Sequence, residues 1–145
     1  MVSDLLYQMN NESYSEKVSM ASEAFRSVKS YLSGYMTSSR AYDGAMAIAL
    51  SFFASDYSLS GTEAKFFNDF LGQSFEFHYI AEEYHNFKSS GLLREARNIV
   101  INGPESVRKH ALLLAGVCIV CDRQITSTEV EDFTGFANML NLSYN

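Results

Sequence analysis

Three sets of residues in this chain have the types and spacing to do chemistry. Asp56 with Glu63, and Asp122 with Glu129, form two acidic pairs of identical spacing. Cys118 and Cys121 form a C-x-x-C pair, and His78, Glu82 and His85 fall at i, i+4 and i+7. Paired carboxylates suit a hard divalent cation, thiols at that spacing suit redox chemistry or zinc, and imidazoles flanking a carboxylate on one helix face suit a transition metal.

The acidic pairs belong to a repeat. DYSLSGTEAKFFNDFL begins at Asp56 and DRQITSTEVEDFTGFA at Asp122, and the copies share Leu59/Ile125, Ser60/Thr126, Thr62/Thr128, Phe67/Phe133 and Phe70/Phe136 as well as the acids. Each follows a small, apolar run, AMAIALSFFAS or ALLLAGVCIVC, in which Ala45 and Ala49 match Ala111 and Ala115. The repeated unit is therefore an apolar helix, a loop and an aromatic helix.

Two readings of the loops stay open. Ser60 to Glu63 and Thr126 to Glu129 both fit a capping box, in which the hydroxyl accepts from the N3 amide and the Glu accepts from the cap amide. That alone accounts for three repeated positions, with Leu59 and Ile125 as hydrophobic staples. The other reading is a cation site made of Asp56, Glu63, Asp122 and Glu129. It is not an EF-hand: Asp56, Ser58, Ser60 and Gly61 match places one, three, five and six, but place twelve, which needs a bidentate Glu, is Phe67, and in the second copy Phe133. One Asp and one Glu per loop hold calcium or zinc weakly unless the loops meet, and Arg123 stands beside Asp122.

The cysteines lie at the end of an apolar helix, the wrong pole for a reactive thiolate, and no second C-x-x-C or paired His completes a zinc site. They read as small core hydrophobes. Glu82-x-x-His85 is half of a di-iron motif whose other half is missing, so His78, Glu82 and His85 read as a polar face and as a weaker, surface metal alternative. No G-x-S-x-G, P-loop or dinucleotide fingerprint appears. The expectation is a non-enzymatic protein with no catalytic residues.

Totals bound the class. The 145 residues, 47% hydrophobic and 14% aromatic without Trp, make one domain with a Phe- and Tyr-filled core. A net charge of −6 argues against nucleic acid. Arg94, Arg97, Arg108 and Lys109 are interrupted by Glu95 and Glu105 and read as a solvated face. The longest apolar run, Ala111 to Cys121, is too short to span a bilayer. Two Cys without an evident export signal point to the cytoplasm.

A single Pro, eight Gly and no alternating strand pattern predict an all-α fold, a single-domain bundle of about seven helices. Residues 1–10 read as a lead and Asn11 as the cap of a helix ending near Gly34, with the stripe Val18, Ala21, Phe25, Val28, Leu32; lead and helix make up 1–36. Two related halves follow over 40–142, in helices from Arg40 to Ser55, Thr62 to Gly72, near Ser74 onward with Phe77, Ile80, Tyr84 and Phe87 on one face, Leu92 to Ile101, Glu105 to Cys121, and Thr128 to Leu142.

The twin helix-loop-helix with D-x-x-[LI]-[ST]-x-x-E between an Ala-rich and an aromatic helix resembles the tellurite-resistance TerB-like family. This chain carries Tyr57 and Arg123 where that family has Gly after the Asp. The resemblance implies a stress-associated helical module of the cytoplasm that works by contacts with other proteins near the membrane surface. It also implies Asp56, Glu63, Asp122 and Glu129 as a cation site.

Overall fold

The structure is a computed structural model, and it describes residues 1–53, 59–122 and 124–142. Among these there are eight α-helices and no strand: α1 Val2–Asn10, α2 Tyr14–Leu32, α3 Ser38–Leu50, α4 Gly61–Leu71, α5 Phe77–Ser89, α6 Leu92–Ile101, α7 Glu105–Ile119 and α8 Ser127–Met139. No helix among the described residues is long and apolar enough to cross a membrane.

The eighth helix is α1, which the sequence reading took for a lead. Leu6 and Met9 on it are buried, with Val2 and Leu5 packed against the core. That spacing is helical, and it gives α1 an apolar face that lies on α7 and α8. The cap of α2 is Ser13, not Asn11: its Oγ accepts from Glu16 N at 3.2 Å. Asn11 instead ends α1, its N–H donating to Gln8 O at 3.1 Å.

The most extensive packing is between α2 and α7, and α3 lies across α2 and α6. Small residues set these distances. A Cβ on Gly44 of α3 would stand 3.1 Å from Ala96 Cβ of α6. A Cβ on Gly116 of α7 would meet the end of Met9 and come within 3.0 Å of Phe133 Cε1. Gly116 is thus where α1 and α8 both press onto α7. Val at this position should destabilise the fold by about 2–3 kcal/mol, beyond the gain in helix propensity over Gly, because buried Phe133 has nowhere to move. A chemical-denaturation midpoint equal to wild type would show that the contact relaxes freely.

The repeated aromatics face inward as expected, with Phe67 and Phe133 at 1% and 0% exposure. Phe53, Phe66, Phe67 and Phe70 meet in edge and tilted ring pairs with centroids 5.5–6.3 Å apart. Other boundaries shift. α3 ends at Leu50, α7 at Ile119 and α8 at Met139, each short of the expected end. α5 starts at Phe77 and not near Ser74, because the Asn68 side chain pins Phe75 through two hydrogen bonds of 2.9 Å and holds the approach extended. Phe77 consequently leaves the buried stripe and is 47% exposed, while Ile80 and Phe87 remain in it.

Candidate functional site

Both capping boxes form. Ser60 Oγ accepts from Glu63 N at 3.1 Å while Ser60 N donates to Glu63 Oε1 at 2.8 Å. In the second copy the corresponding distances are 3.1 and 2.9 Å, between Thr126 and Glu129. Each Glu thereby commits one carboxylate oxygen to starting its own helix. Asp122 is exposed, and its Oδ1 accepts from Gln124 N at 3.1 Å, a local turn that leads into α8. Asp56, Tyr57, Ser58 and Arg123 lie outside the described residues, so the first loop's aspartate has no place in the geometry that follows.

A buried lysine at the end of α7 is a residue that the sequence reading passed over. Lys17 of α2 is 1% exposed, among the largest fully buried side chains of the described residues, and its Nζ donates to Val120 O at 3.0 Å. Val120 is the residue on which α7 ends, so the ammonium lies at the negative pole of that helix. Cys121, next in the chain, registers the surroundings. Its thiol is pushed up by burial first, then by Glu63 and Asp122, with Glu129 adding to this and Lys17 opposing it. One buried cation and acids from both loops therefore share a single neighbourhood at the end of α7. A buried ammonium persists only where hydrogen bonds and opposite charge replace its water.

This neighbourhood sets the behaviour of the other groups. Cys118 and Cys121 are both buried and reduced, and burial raises the Cys118 thiol well above its ordinary range. Neither is a thiolate near neutral pH. Glu129 is also raised, chiefly by burial and also by the Asp122 and Asp132 charges, against the lowering effect of its Thr126 hydrogen bonds. Because its folded value lies above the unfolded one, the stability it contributes is complete below the ordinary glutamate range and is lost as pH rises through the folded value. Glu129→Gln keeps the capping box and removes the charge. The variant should melt with wild type near pH 3 and slightly above it near pH 7, values on either side of the carboxylate range of about 4; a lower melting point at the upper pH would mean that the Glu129 charge stabilises the fold.

His78, Glu82 and His85 are all exposed on α5. Among the described residues, no group of three or more His, Cys, Asp or Glu is arranged to hold a metal ion. Of the basic residues of α6 and α7 expected on a solvated face, Arg94 and Lys109 are exposed, whereas Arg97 and Arg108 are half-buried. Arg108 Nη1 donates to Leu140 O at 2.8 Å and its Nε to Gly103 O at 3.0 Å, tying α7 to the end of α8. Lys109 pairs with Glu105, and Glu95 with Arg40 of α3. Arg97 is half-buried between the rings of Phe52 and Phe136, its Cζ 5.6 and 5.5 Å from their centroids. Intervening acids in the sequence hid this, because the two rings that hold Arg97 come from distant parts of the chain.

Searches against models of protein families, curated protein sequences and solved structures give no match.

Proposed function

We propose that the protein is a non-enzymatic helical module of the TerB-like kind that regulates a stress response by binding other proteins. The observation that carries this reading is the burial of Lys17 among the acids of the two loops, beside the capping boxes. The Glu residues of the two loops are thereby engaged in starting their own helices, and Lys17 in closing the end of α7. What remains outside is an apolar surface at the start of α5, where Phe77 and Tyr79 are 47% and 44% exposed and Phe75 lies against Tyr79 at a centroid distance of 5.1 Å. Exposed aromatic groups of this kind favour protein contacts. The test is a photo-crosslinking residue in place of Phe77, used in the cells from which the chain comes. A discrete crosslinked protein, lost when Tyr79 is changed to Ser while melting is unaltered, is the expected result. Crosslinks that Tyr79→Ser leaves in place would remove this surface from the reading.

A second reading, a divalent-cation sensor or sequestering protein, is favoured by one observation: Glu63, Asp122 and Glu129 all act on the same Cys121 thiol, so acids of the two loops are neighbours. Calorimetric titration with calcium and with zinc tests it, on wild type and on Asp56→Asn with Asp122→Asn. Saturable binding that the double variant loses would place cation sensing first. No heat in either protein would leave the carboxylates as partners of helix amides and Lys17.

A further inference from the structure

A recess of about 590 Å³ opens between the end of α5, the first turns of α6 and the end of α8, in the size range of small-molecule sites. Its wall includes Lys88, Arg94 and Arg97, with Ser89 and Asn98, and no acidic residue. In a chain of net charge −6 this is a local reversal of sign. We propose that the recess binds a phosphate group carried on a small molecule. This is independent of the protein-binding reading above.

Arg97 is the reason to name an anion. Its guanidinium is held in place by the Phe52 and Phe136 rings and by one hydrogen bond, Nη2 to Ser51 Oγ at 3.2 Å. A guanidinium has five N–H donors. Here Nε is itself buried, without an acceptor among the described residues, and the Ser51 bond engages one of the four N–H groups on the two Nη atoms, so a half-buried cation in a fixed orientation keeps donors for an anion. Planar, preorganised guanidinium groups of this kind recognise phosphate and carboxylate through paired hydrogen bonds. The second arginine, Arg94, one turn earlier on α6, is exposed and forms no ion pair among the described residues.

The charge of the wall favours phosphate over a single carboxylate, since the two guanidinium groups of Arg94 and Arg97 already exceed what one negative charge neutralises. The helix start adds to this. Gly91, at φ 78°, begins α6 without a side-chain cap of its own, only the Leu92 N–H donating to Ser90 Oγ at 3.4 Å, and Gly91 and Leu93 belong to the same wall. First-turn amides and the positive pole of a helix stabilise phosphate. Leu93 and Met139 supply an apolar side for the rest of the molecule. On the far side of Arg97 a second recess is bordered by Glu131 and Asp132, which directs the anion to the α5 side.

Phenyl phosphate is the probe, titrated into the full chain by calorimetry and followed by amide NMR at physiological salt. Saturable binding with shifts at Gly91, Leu93 and Asn98 is expected. Arg97→Gln should weaken it about tenfold or more, as loss of a charged hydrogen-bond donor does, and Arg94→Gln several-fold. Arg94 is exposed, so its variant tests the site even where Arg97→Gln disturbs packing. Lys65→Gln, on α4 away from the recess, should bind as wild type. Vesicles of phosphatidylcholine with phosphatidate form the second arm: vesicle binding that Arg94→Gln weakens would support the site and make a lipid headgroup the source, and binding of phenyl phosphate alone would make it a soluble phosphomonoester. Failure of both probes, or equal weakening by Lys65→Gln and Arg94→Gln, would overturn the proposal.

Discussion

Lys17→Met is expected to lower the unfolding free energy by about 3–5 kcal/mol, the range for removing one member of a buried, hydrogen-bonded charge arrangement. Met fills nearly the same volume, so the loss would be electrostatic and not a cavity effect. The Val120 carbonyl, which accepts from Nζ at 3.0 Å, would lose its partner, and the acids that act on Cys121 would lose a cation that opposes them. The signature would extend beyond stability. Since Lys17 opposes the upward shift of the Cys121 thiol, its removal should make that thiol still less acidic and slower to react with an alkylating reagent in the folded state. Denaturant midpoints and thiol-reaction rates would be measured on the same samples. A variant that unfolds with wild type would mean that the ammonium's burial is energetically balanced by what surrounds it.

Phe133→Asp should abolish folding at ordinary temperatures. The ring is 0% exposed and lies under α7 opposite Gly116 and Met9. The substitution removes an aromatic side chain from the core, at about 3–5 kcal/mol, and adds an unpaired buried carboxylate, at several more. The sum reaches the total stability of an ordinary domain, about 5–15 kcal/mol. Phe67→Asp, in the first copy at 1% exposure, should do the same. Circular dichroism reads the outcome directly; helical signal and a cooperative melt in either variant would contradict the packing described above.

The helical class, the two helix-loop-helix units and their capping boxes were legible in the sequence because each rests on local rules: apolar spacing, a hydroxyl three residues before a Glu, a Pro after a turn. α6 was read to the residue for that reason. α1 was missed although Val2, Leu5, Leu6 and Met9 already stand at helical spacing, because it is a single short stretch whose justification, the exposed side of α8, lies at the other end of the chain. Lys17 was missed for a related reason. It shares a face of α2 with Ala21, Ala24 and Val28, yet a lysine is counted with the polar residues until its distant partner is known. Arg97 likewise reads as surface charge until Phe52 and Phe136, from two other elements, close around it. Of the residues expected to do chemistry, Glu63, Asp122 and Glu129 share one neighbourhood, whereas His78, Glu82 and His85 stay on an exposed face of α5.

The pairing of α2 with α7 and of α1 with α8 has a consequence for how the chain is made. Synthesis delivers α1 and α2 well before either partner exists, so their apolar faces must wait while the rest is translated. α3 and α4 give α2 part of its cover as they emerge, but α7, its main neighbour, and α8, on which α1 lies, come last. Folding of this domain should therefore be completed only once α8 has left the ribosome, with long-range contacts setting its pace. A nascent chain stalled after α7 would be the species most exposed to chaperones, its Phe-rich first unit in place and its first helix still without a seat.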